Sequence, residues 1–146
     1  MIRSLTLALI LAGAPAMAEI VTKPSPHSVG ETADRLVAAA EGAGATIVAR
    51  VLHSQAAAGV DMELAEAELV IFGNPRAGTP VMQQDLRAGA VLPLRVLVHA
   101  DGDAAAVTYQ SAESLFAGLD VDLSSEAAIR IDGALSTLTD AAVASD

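Results

Sequence analysis

From Thr46 to Leu52 polar and apolar residues alternate with a period of two, Ile47, Ala49 and Val51 on one side and Val48, Arg50 and Leu52 on the other. That period predicts a strand. Upstream the period lengthens. Val29, Ala33, Leu36, Val37 and Ala40 recur at helical spacing, Ser28 and Glu31 form a capping-box pattern before them, and Gly42 or Gly44 ends the run. Ile20 to Thr22 reads as a short strand stopped by Pro24 and Pro26, and Ser54 to Ala58 as one alanine-rich helical turn. Leu69 to Phe72 is almost continuously apolar, as expected of an inner strand. Thr79-Pro80 places a capping hydroxyl before a proline and predicts a short helix to about Leu86. Leu94 to His99 is a further strand, and Asp101-Gly102 marks a hairpin into Ala105 to Tyr109. Ser111 caps a short helix to about Ala117. Ser124 or Ser125 opens the last helix, with Ala128, Ile131, Leu135, Leu138 and Ala142 as its buried stripe.

Helices flanking a run of strands predict an α+β fold: a two-layer sandwich with a mainly antiparallel sheet of about five strands and helices on one face. The other sheet face is then informative. Leu94, Val96 and Val98 are expected to meet the helices, which turns Arg95, Leu97 and His99 outward beside Val48, Arg50 and Leu52. A face mixing aliphatic residues with arginines is too apolar to be a plain solvated surface. A second copy of the chain is the simplest cover, so a homodimer is expected.

Charge and composition change this picture at three points. Residues 1–18 carry Arg3, an uncharged apolar run from Leu5 to Ala14 and the small-x-small site Ala16-Met17-Ala18, which reads as a secretory signal cleaved near Ala18/Glu19. The run is too short for the ~20 residues that cross a bilayer. The remainder, 19–146, reads as one domain, soluble in a periplasmic or external compartment with no membrane attachment after cleavage. Second, 8 basic against 18 acidic residues make a nucleic-acid partner a poor fit. The acids concentrate beyond residue 100, giving a solvated acidic half or a surface for a basic partner. Third, with no cysteine there is no disulfide frame, thiolate metal site or sulfur nucleophile.

Val70-Ile71-Phe72-Gly73-Asn74-Pro75, Gly78-Thr79-Pro80-Val81-Met82, Leu92-Pro93-Leu94-Arg95-Val96-Leu97-Val98, Asp101-Gly102 and Thr108-Tyr109 together resemble a family known as domain of unknown function 302, as does Arg50-Val51-Leu52-His53. The resemblance covers nearly all of residues 19–146. It implies a small α+β domain, often exported, that pairs through its sheet. One position departs from the pattern: Leu52 stands where the family usually has an aspartate before the histidine.

His53, at a strand end, is the leading candidate for proton transfer or metal binding, with a backbone-bonded structural role as the alternative. Gly73 to Pro80 holds two glycines and two prolines between a strand and a helix start. Its free amides, with Asn74, Arg76 and Thr79, form a candidate anion-binding loop; a structural turn with Asn74 bonding the backbone is the alternative. Arg50 and Arg95 alternate onto one expected face. With His53 they form a pocket for a small anionic ligand, or else they pair with acids of a partner subunit. His27, His53 and His99 show no ligand spacing, so no metal and no cofactor are expected, and no nucleophile motif appears. The reading that follows is a non-enzymatic binding module. The alternative is an enzyme or a metal- or oxyanion-binding protein built around His53 and the Asn74–Thr79 loop.

Overall fold

The structure, a computed structural model, describes residues 19–145, so the export signal read over 1–18 lies outside the described residues. Five strands form one antiparallel sheet: β1 (Ile20–Ser25), β2 (Thr46–Leu52), β3 (Ala67–Gly73), β4 (Leu94–Asp101) and β5 (Ala104–Gln110), in the spatial order β1-β5-β4-β3-β2. Two long helices, α1 (Val29–Gly42) and α5 (Glu126–Val143), pack on one face of it. Short pieces fill the connections: α2 (His53–Ala58), α3 (Pro75–Gln84), a 3₁₀ turn over Leu86–Ala90, and α4 (Ala112–Leu115). This is the α+β sandwich the periodicity predicts.

The core lies between sheet and helices. Phe72, Val70, Val96, Val98 and Val107 from the strands are fully buried against Leu36, Ile131 and Leu135 from α1 and α5. Each such side chain contributes about 1.5–3 kcal/mol of burial. The stripe expected on α5 is entirely buried. Ser28 accepts the Glu31 amide at 3.2 Å, as the capping pattern implies, but the Glu31 carboxylate does not reach back; it lies 3.2 Å from His27 Nδ1.

Among the element boundaries that differ from the sequence reading, two have a direct physical cause. β1 runs through Pro24 to Ser25 because it is an edge strand, where a missing N–H costs no ladder bond. α3 starts at Pro75, not Thr79, because Asn74 and Pro75 supply the same cap-then-proline grammar one turn earlier, with Arg76 N donating to Asn74 Oδ1 at 2.9 Å. Pro80 therefore sits inside the helix.

Past α3, Asp85 caps the 3₁₀ turn. It accepts the Arg87 and Asp120 amides, each at 2.9 Å, and binds the Arg87 guanidinium at 2.6–3.0 Å. The guanidinium most of all, then the two amides, hold its carboxyl well below the usual carboxylate range. A folded value below the unfolded one means that this stabilisation is complete above about pH 4 and is lost as pH falls further. Asp85→Asn is therefore expected to lower the melting temperature at pH 7. The gap to the native chain should narrow only in part at pH 3, because the folded carboxyl is still ionised there, as checked by calorimetry at both values.

Candidate functional site

Strand register decides which side chains share a face. Cross-strand partners Thr22, Thr108, Leu97, Leu69 and Val51 form one row over all five strands on the side away from the helices. The neighbouring row, Lys23, Val107, Val98, Glu68 and Leu52, points toward the helix layer. Arg95 pairs with Ile71, and Ile71 with Ala49, on the open side. Arg50 pairs with Val70 and Val70 with Val96, and these two valines are fully buried beneath the helices.

Arg50 and Leu52 therefore do not share a face with Arg95 and Leu97, contrary to the alternation. The cause is a bulge in β2 between Ile47 and Ala49, where Val48 is the extra residue, 61% exposed. One inserted residue reverses the parity of all that follows it. Arg50 instead completes an ion-pair cluster on the helix side. Its Nε donates to Glu68 Oε1 and its Nη1 to Asp34 Oδ1 of α1 at 2.7 Å. Glu68, 5% exposed at its side chain, is a buried acid in a strand, and Arg50 is the partner its burial calls for.

His53 begins α2, just past the Leu52–Glu68 pair, whereas Asn74 follows Gly73, which pairs with Thr46 at the opposite end of the same ladder. Six strand residues separate the two ends, about 20 Å at ~3.3 Å per residue. A single pocket of His53, Asn74, Thr79 and the arginines does not form. Nor does the loop offer free amides. Arg76 N is taken by Asn74 Oδ1, and Ala77 N and Gly78 N by Asn74 O at 2.9 and 3.0 Å. Asn74 Nδ2 meanwhile donates to Gly44 O at 3.1 Å, tying α3 to the turn after α1, where Gly44 takes φ +79°. Asn74 thus has the backbone-bonding role that stood as the alternative to an anion loop.

Asn74 and Thr79 do line a cleft of about 520 Å³, within the range of small-molecule sites. Its walls are otherwise mostly apolar: Val48, Met82, Leu92, Pro93, Leu94 and Ile131. It opens beside the uncovered sheet face through Thr46, Val48 and Gly73. Gly73 fits closely there, since a Cβ would stand 3.1 Å from Pro93 Cβ. Gly73→Ala is expected to cost about 1 kcal/mol by overpacking, measured by urea denaturation. Arg76 and Arg95 are the two cations without a carboxylate partner among the described residues; Arg95 donates to Val91 O at 3.3 Å. The open face also carries a small polar chain, in which His99 Nε2 lies 3.0 Å from Thr108 Oγ1, itself 3.1 Å from Thr22 Oγ1. Sequence reasoning missed the cleft's apolar walls, which come from four separated segments. It also missed the Glu68 partner of Arg50, although an acid at the start of an apolar strand calls for one.

The family model described as "Domain of unknown function DUF302" matches residues 21–140. The chain belongs to the DUF302 family. The fold agrees: an uncharacterized conserved DUF302 protein from Bacillus stearothermophilus, known from its crystal structure, superposes with a TM-score of 0.77. That likeness covers 84% of this chain and 97% of the other at 16% identity. Curated proteins similar to this DUF302 chain include "Fluoride-specific ion channel FluC 1" of Brucella suis biovar 1 (strain 1330) and the protein of the same name from Brucella abortus biovar 1 (strain 9-941). Each is 42% identical over 83 residues, 57% of this chain, and those residues are 33% and 31% of the respective relatives. The chain thus spans about a third of the length of the curated relatives it matches, and their names describe those longer proteins. No described helix of this DUF302 chain is long and apolar enough to cross a membrane.

Proposed function

We propose that this DUF302 chain is a non-enzymatic binding module that acts as a homodimer paired through the open face of its sheet, with the adjoining cleft as its ligand site. The charge distribution carries this reading. The whole chain has a net charge of -10, yet Glu68 and Asp101 are the only acids in the five strands; Glu68 faces the helices and Asp101 sits at the hairpin tip. The open face is left with Leu97, Leu69, Ile71, Val51 and Ala49 at its centre and Arg95 beside them. A second copy is the occupant this surface suits. The rest of each copy repels the other, and here aliphatic rows meet with no buried carboxylate to strip of water.

In this reading pairing brings a neighbour close to the cleft mouth at Thr46 and Val48, and the cleft takes a small, largely apolar molecule. With the first-turn amides of α3 already bonded, an anion is not its natural guest, and the arginines near it serve the surface. The sequence of residues 1–18 supports export to a periplasmic or external compartment, checked by sequencing the N-terminus of the protein recovered from its native compartment. Sedimentation equilibrium tests the dimer: a mass of two chains at micromolar concentration supports the reading, and a single-chain mass up to the solubility limit overturns it.

A further inference from the structure

The sheet is not closed all the way along its strands. β4 and β5 pair from Asp101–Ala104 as far as Leu97–Thr108 and no further, although the register would next set Val96 against Tyr109 and Arg95 against Gln110. Both flanking ladders run on past this point, β1–β5 to Ile20–Gln110 and β3–β4 to Phe72–Leu94. The end of β5 thus stays with β1, where Ser111 N also donates to Glu19 O at 3.2 Å, while β4 stays with β3. The fork between them holds a slot of about 170 Å³. We propose that this slot binds a small monocarboxylate, with its acid group on Arg95 and its carbon chain in the fork.

The walls select the chain. Leu69 and Leu97 line the slot from the open face, and Leu115 of α4 and Leu135 of α5 line it from the helix layer. One cavity touches both layers because the strands part between them. Leu94, Leu115 and Leu135 are otherwise core residues, each at most 8% exposed, so the floor is apolar. An apolar cavity of ~150 Å³ holds a benzene molecule, so about six carbons match this slot. Ile20 also lines it and is 62% exposed, an apolar surface that such a chain covers.

The rim selects the head. An exposed arginine alone would be a solvated charge, but Arg95 stands at an opening into the core. By register Gln110 stands opposite it, on the same open side of the sheet. Arg95 donates to Val91 O at 3.3 Å and Gln110 Nε2 to Ser114 Oγ at 3.4 Å, both long bonds that a better acceptor displaces. No acid lines the slot, so the guanidinium is answered from outside the chain. A carboxylate accepts two parallel N–H bonds from such a group. An amine would be repelled, and an alcohol would leave the charge unpaired.

The site is complete within one chain and does not rest on the pairing of two, but a second copy on the open face would cover its mouth. The test therefore uses two 15N-labelled proteins, the native chain and Val51→Glu. The latter sets an unpaired carboxylate on the pairing face at a residue that does not line the slot. Each is titrated with sodium hexanoate, and with 1-hexanol, hexylammonium and acetate to separate head from chain. Saturable amide shifts centred on Arg95, Leu97, Thr108 and Gln110, seen with hexanoate in at least one of the two proteins, are expected. Arg95→Gln should weaken hexanoate binding about tenfold, the loss of one charge-assisted contact. Arg130→Gln, on α5 outside the slot, should leave it unchanged. Saturation in neither protein, equal affinity for 1-hexanol or acetate, or an equal loss with Arg130→Gln would overturn the site.

Discussion

Replacing Arg50 with methionine is expected to lower stability by about 2–3 kcal/mol, among the largest single-residue effects in the molecule. Truncating one partner of a buried ion pair costs about 3–5 kcal/mol, because the remaining charge is stranded away from water. Arg50 is itself 36% exposed at its side chain, so water screens part of its contribution and the lower figure is appropriate. The stranded group is Glu68, in the row that points into the helix layer with Val98 and Val107. The double variant Arg50→Met with Glu68→Leu should recover most of the loss, since the desolvated charge is gone. Asp34→Asn, which removes an exposed partner, should cost less than about 1 kcal/mol. Urea denaturation of the four proteins checks all three values. A loss for Arg50→Met that Glu68→Leu fails to recover would show that Arg50 acts by packing instead.

Leu97→Glu is the second large effect, on assembly and not on folding. Leu97 stands at the middle of the open face, between Leu69 and Thr108. A twofold contact through this face places each substitution twice in the interface, and burying unpaired carboxylates there costs several kcal/mol. At 1.4 kcal/mol per factor of ten, the dimer dissociation constant should rise at least about a hundredfold. The helix-facing core is untouched, so the circular dichroism of the variant should match the native chain.

How much of this could be read from residues alone follows from what kind of information each feature needs. The fold was legible because periodicity and caps are local. The α5 stripe, the Ser111 and Ser125 caps and the Gly102 hairpin all report on their own segment, and φ +60° at Gly102 confirms the turn type its sequence demands. The site was less legible because it depends on parity and on distance. Counting by twos along β2 places Arg50 beside Arg95, and only the bulge at Val48 reverses that. The alternation has no marker for such an insertion when the residue is an ordinary valine. Likewise His53 and Asn74 look like neighbours in a motif list, but they close opposite ends of one β2–β3 ladder. The loop amides looked free because the cap was placed at Thr79; moving it to Asn74 accounts for them all. Glu68 carried a usable signal, an acid entering an apolar strand, and its partner could have been sought on the neighbouring strand β2.

The central claim is that the open face of the sheet meets the same face of a second copy. Because the chain has no cysteine, single cysteines can be placed along the row Thr22, Thr108, Leu97, Leu69 and Val51, with a control at exposed Arg130 of α5, and each protein oxidised at micromolar concentration. Self-cross-linking that peaks at one position of the row and falls away on both sides, with none at Arg130, is the expected result. Cross-linking at Arg130 as readily as in the row, or none anywhere along the row, would contradict it.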